Sequence, residues 1–132
     1  MKTKNFTNMM ALCIITIMCA CSHKPTERLV GNDRDKHGCI ASAGYVWSEA
    51  LKDCIRVWEV GVRLDNGGNK VFVVFSNDSS VAEVYTDEGK CIPCRRVNDN
   101  LWESEKENVS VSFEKKVMKV HAMNILFSKT VR

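Results

Sequence analysis

The chain has 132 residues, 45% of them apolar and 27% charged, which suffices for one packed domain and excludes a multidomain enzyme. Its 19 Lys and Arg stand against 16 Asp and Glu, a formal net charge of +3, so no overall field of either sign announces a nucleic-acid partner. Seven cysteines are the unusual count for this length.

Lys2 and Lys4 precede an uncharged, mostly apolar run from Met9 to Ala20. A membrane-spanning helix needs ~20 such residues and a signal-peptide core about 7 to 15, so residues 1–20 are expected to be a signal peptide. The run ends Met18-Cys19-Ala20-Cys21. An aliphatic residue three positions before a cysteine and a small residue just before it resemble the bacterial lipoprotein box, with Met18 where Leu is usual. The resemblance implies cleavage after Ala20, acyl chains of the palmitate type on Cys21, and a membrane anchor worth ~0.8 kcal/mol per buried CH₂. Cys13 and Cys19 fit the box less well, because Leu12 and Met18 occupy the small-residue position. Plain secretory cleavage, leaving Cys21 unlipidated, is the alternative. Ser22, rather than Asp, points to the outer membrane of the cell envelope.

Without residues 1–20 the basic excess falls to 17 against 16, and four cysteines remain: Cys39, Cys54, Cys91 and Cys94. An even number in an exported chain argues for disulfides, because that compartment is oxidising. Three pairings are possible, and the spacings favour the local ones, Cys39 with Cys54 and Cys91 with Cys94.

Residues 21–36 are polar, contain a proline and show no sustained period, so they are expected to be a flexible tether from the lipid to a single domain over 37–132. Tyr45 and Trp47 alternate with Val46 as in a strand. Ser48 to Asp53 suits a turn, and Ile55, Val57 and Val60 suit a returning strand, giving a disulfide-stapled hairpin. A helix over Ser48 to Ile55, capped by Ser48, is the competing expectation, since Glu-Ala-Leu-Lys favours helix. Asp65 to Asn69 is a turn. Two strands follow, joined at Ser76 to Ser79, the first apolar on both faces from Val71 to Phe75 and therefore expected to be central. Cys91–Val97, Asn100–Ser104, Val109–Phe113, Val117–Val120 and Ile125–Phe127 are further short strands between polar turns. The fold class is mainly β: a small antiparallel β-barrel or sandwich preceded by the stapled hairpin.

Cys91-Ile92-Pro93-Cys94 has the spacing of thiol oxidoreductases, but strand-like residues surround it and no helix follows, so a structural disulfide is expected. Free thiols and cross-pairing with Cys39 and Cys54 stay open. A four-cysteine zinc site would need a second close pair, and Cys39 and Cys54 lie too far apart in sequence. Asp33-Arg34-Asp35-Lys36-His37-Gly38 imitates the start of a calcium loop, but His37 is a poor oxygen-ligand substitute and Gly44 stands where a bidentate Glu belongs. A polar turn into Cys39 is expected instead. His23, His37 and His121 belong to no nucleophile or metal motif, so no catalytic residue, metal ligand or cofactor is assigned. Trp47, Trp58 and Trp102 are expected to serve packing before contact with a partner.

Residues 31–86, from GNDRDKHGCIASAGYVWSEALKDCIRVWEVGVRL to VFVVFSNDSSVAEVY, resemble a group of small lipoproteins of Bacteroides-type bacteria, a group that brings no activity with it. The lipoprotein box, disulfide and small antiparallel barrel are also similar to the membrane-bound inhibitors of c-type lysozyme. Those inhibitors insert a Ser-rich Gly-Tyr loop into the lysozyme cleft, and Ala41-Ser42-Ala43-Gly44-Tyr45 is the nearest match. That segment lies ahead of the sheet strands rather than late in the chain, and the accompanying lysine motif is missing. The expectation is a lipid-anchored, non-enzymatic envelope protein whose domain binds another protein, possible inhibition of a hydrolase included, through Ser42, Gly44, Tyr45 and Trp47. An architectural role in the envelope and thiol-redox chemistry at Cys91 and Cys94 are the alternatives.

Overall fold

The computed structural model of the chain describes residues 33–132. The expected signal peptide, Cys21 and most of the tether lie outside the described residues. The end of the tether does not. Arg34 makes an isolated β-bridge with Ile40, and the Asp35 carboxylate accepts the N–H groups of His37 and Cys39 at 2.8 and 2.9 Å. Residues 33–36 are thus bound into the loop that leads to Cys39.

The strands are β1 (Val46–Ser48), β2 (Asp53–Ile55), β3 (Val62–Asn66), β4 (Asn69–Phe75), β5 (Val81–Thr86), β6 (Cys91–Asn98), β7 (Leu101–Glu103), β8 (Ser110–Glu114), β9 (Val117–Ala122) and β10 (Ile125–Thr130). β1 and β2 form a separate antiparallel hairpin. β3 to β10 form one antiparallel sheet in which every strand pairs with its neighbours in sequence, nearly closed into a barrel. At the seam, the Asn66 side-chain amide donates to the Leu126 carbonyl at 2.7 Å. Two-residue turns make this meander possible. Gly67 and Gly68 both have positive φ, the geometry whose twist matches the flanking strands and which glycine adopts without strain.

Alternation at period two sends one set of side chains inward from every strand. Leu64, Val71, Val73, Ala82, Val84 and Ile92 continue around to Val111, Met118, Val120 and Phe127, all buried, so the interior is a packed core. Trp102 closes one end, edge-on to Phe75 and Phe113 with ring centroids 5.2 and 5.8 Å away, its indole N–H donated to the Ser79 carbonyl. β6 carries a register shift at Val97, which leaves that side chain 58% exposed.

Three expectations need correction. The returning strand of the hairpin is β2 and includes Ile55, but Val57 and Val60 belong to a single helical turn, α1 (Val57–Val60). Val71 to Phe75 is apolar on both faces for a different reason from centrality: β4 is next to the end strand β3, but its outer face is covered by the hairpin. Cys91 and Cys94 do not pair. They are free, because in a strand residues three apart point to opposite faces. Cys94 is wholly buried in the core, while Cys91 is exposed on the outer face.

Candidate functional site

The expected disulfide forms between Cys39 and Cys54, whose Cα atoms are 5.5 Å apart. It fastens the approach segment to β2 and closes a loop that the sequence shapes locally. The Asp33 carboxylate accepts the Ser42 N–H, and the Ser42 hydroxyl, followed by that N–H, lowers its pKa; the Asp35 carboxylate is lowered chiefly by the Cys39 N–H. Both acids of the calcium-like stretch serve as turn acceptors, and no metal-binding cluster of His, Cys, Asp or Glu occurs among the described residues. A short 3₁₀ turn, Ala41–Ala43, ends at Gly44 with φ +80°. A Cβ there would lie 2.2 Å from the Trp58 ring, so a larger residue would push that ring out of its seat.

Arg56 organises the rest of the loop. Its Nε donates to the Ala43 carbonyl at 3.0 Å, its guanidinium lies 4.6 Å from the centre of the Tyr45 ring, and it pairs with Glu59 at 3.0 Å. His37 stacks on Trp47 with centroids 4.3 Å apart and planes 5° apart. The Trp47 indole N–H is buried without a hydrogen-bond partner among the described residues.

Two contacts dock this stapled unit on the barrel. Ile55, with Leu51 and Val57, packs against Val74, Tyr85 and Phe72 on the outer faces of β4 and β5. Beside them the Glu83 carboxylate, 2% exposed, accepts four hydrogen bonds: Ser48 Oγ at 2.6 Å, Tyr85 Oη at 2.9 Å, and the N–H groups of Glu49 and Ala50 at 2.9 and 3.2 Å. No cation faces it among these partners, so hydrogen bonds alone satisfy the charge. Burial raises the Tyr85 hydroxyl above its ordinary pKa, keeping it a proton donor to Glu83.

Between the docked unit and the barrel runs a groove of about 560 Å³, with Trp47, Val57 and Trp58 on one side and Phe72 and Tyr85 on the other. Lys70 and Asp87 stand among its lining residues. Trp58 is 58% exposed, and Val46 and Val60 add exposed apolar surface nearby in the chain.

Of the predicted contact residues, Trp47 lines this groove, Gly44 lies against Trp58, Tyr45 faces Arg56, and Ser42 is exposed on the loop held by Asp33. Phe72, Tyr85 and Glu83 were not singled out, and Trp58 was weighed as a packing residue before a partner contact. The available signal was the doubly apolar strand Val71 to Phe75, which meant that something covers the outside of the sheet there.

Cys91 also lines the groove. Although Cys91 is exposed, the groove walls desolvate its thiol and, with the Glu83 charge, push it up to about 11 against the opposing Tyr85 hydroxyl, while burial pushes Cys94 up to about 12. Both shifts disfavour the thiolate that disulfide exchange requires. No protein-family model, curated protein or solved structure matches the chain. The resemblances to lipoproteins and lysozyme inhibitors therefore rest on the residues that carry them.

Proposed function

We propose that the chain is a non-enzymatic, lipid-anchored envelope protein whose stapled unit binds another protein along the groove, in its narrower form an inhibitor of a lysozyme-like or protease hydrolase. The observation that carries this reading is Trp58, 58% exposed yet seated on Gly44, where any larger residue would displace its ring. An exposed tryptophan already held in place loses little conformational freedom on docking, and tryptophans are prominent among the residues that dominate interface energies. The disulfide and the Arg56 contacts preorganise the loop beside it in the same way. The anchor rests on Met18 to Cys21.

The test is inhibition of c-type lysozymes and secreted proteases by the full chain and by Trp58→Ala. Truncating an exposed side chain leaves the core intact, whereas Tyr45 and Trp47 are engaged with Arg56 and His37. Inhibition by the parent that falls at least about 30-fold in Trp58→Ala, the size of a hot-spot residue, supports the reading. Inhibition of neither enzyme class overturns the inhibitor form, and equal inhibition by parent and variant overturns the site.

A further inference from the structure

Among residues 33–132 positive and negative side chains are equal in number, but they are not evenly placed. Residues 33–113 carry ten Lys and Arg against fourteen Asp and Glu, whereas residues 114–132 carry five against one. The topology gathers four of these five. Lys115 and Lys116 form the turn between β8 and β9. The Val131 N–H donates to the Lys116 carbonyl at 2.7 Å, bringing Arg132 beside that turn. Lys129 pairs in register with Met118 and lines a shallow pocket with Arg63 and Asp65, whereas Lys119, paired with Ser128, is on the opposite face of the sheet. Glu114, the one acid of the segment, pairs with Lys119. Lys115, Lys116, Lys129 and Arg132 are exposed and form no ion pair among the described residues.

A surface kept soluble by charge alone mixes both signs, because like charges gathered together repel. We propose that this corner of the barrel docks on the phosphate headgroups of an anionic membrane surface. The cations sit on a strand-end turn and neighbouring strand residues, and a projecting basic edge is complementary to an extended anionic plane. The inference is independent of the groove. An anchor at Cys21 would favour it by holding the domain within reach, since the eleven residues from Ser22 to Asn32 span at most about 40 Å.

The test is co-sedimentation of the unacylated chain from Cys21 onward, which has no lipid or apolar leader of its own to insert, with vesicles of phosphatidylcholine, alone or with about one third phosphatidylglycerol. The parent is expected to bind the anionic vesicles more tightly, with the difference lost in about 0.5 M salt. Each cation near such a surface contributes about fivefold, so the combined substitution Lys115→Glu, Lys116→Glu and Lys129→Glu should cut the difference by at least about a hundredfold. The combined substitution Lys36→Glu, Lys52→Glu and Lys106→Glu changes net charge equally and should preserve it. Equal binding of the parent to both vesicle types overturns the proposal, as does an equal loss in the two variants. So does displacement by inorganic phosphate at constant ionic strength, which would make the ligand a free anion. The parent's lipid and salt dependence stand whether or not either variant folds.

Discussion

Glu83→Ala is expected to be among the most destabilising substitutions in the domain. The carboxylate is the shared acceptor of the Ser48 and Tyr85 hydroxyls and of two backbone N–H groups, and Ser48 is 0% and Tyr85 6% exposed. Alanine removes all four acceptor contacts while leaving the donors in place. A buried donor left unpaired costs about 1–3 kcal/mol, and allowing for water entry at the exposed end, the loss should be about 3–5 kcal/mol. Glu83→Gln keeps one acceptor oxygen, and both hydroxyls can turn to accept from its NH₂, so its loss should be about 1–2 kcal/mol. Urea unfolding measures both. Amide exchange at Glu49 and Ala50 should accelerate in the alanine variant ahead of exchange in β8 and β9. A cost below about 1 kcal/mol for alanine would mean that Glu83 does not hold the stapled unit on the barrel.

Replacing both Cys39 and Cys54 by serine should cost about 3 kcal/mol, the chain-entropy value for a loop of about 16 residues. For a domain of this size that is roughly 10–20 °C in Tm. Reductant should lower the parent's Tm by a similar amount and leave the double variant unchanged. Cys91→Ser should retain the parent's full sensitivity to reductant, because Cys91 is unbridged. Reductant sensitivity abolished in Cys91→Ser would show that the second pair is bridged after all. Loss of the staple also frees Gly44 and Tyr45 to move away from Trp58 and Arg56, so binding should weaken even where the barrel remains folded.

The barrel was largely legible from residues. From Cys91 onward the expected strands meet the observed ones to within a few residues, because alternating apolar positions and polar turns at short intervals admit few other arrangements. The Cys39–Cys54 bridge was legible from spacing. Three features were missed, the first because a long-range contact overrides a local pattern and the others for local reasons. Glu83 sits at an outward position of an alternating strand, where a carboxylate ordinarily marks solvent, and only the docked hairpin turns that position into an interior one. Val57 and Val60 fit a strand by composition, but the chain must turn between β2 and β3, and α1 supplies the turn. The bridge expected between Cys91 and Cys94 conflicted with the strand expected over Cys91–Val97, whose pleat separates residues three apart. The loop Ala41 to Trp47 lies beside the groove, which Trp47 lines. Trp58, expected to serve packing, approaches Gly44 from 14 residues further along the chain.

The claim on which the account turns is that a partner protein engages the groove at Trp58. Site-specific photo-cross-linking in intact cells tests it most directly, with a photoreactive residue placed at position 58 in one version of the full chain and at position 97 in another. Trp58 and Val97 are equally exposed, at 58% each, and Val97 is not among the residues lining the groove, so exposure alone would label both alike. The account predicts a discrete protein adduct from position 58 and none from position 97. The same adduct from both positions, or an adduct from position 97 alone, would contradict it.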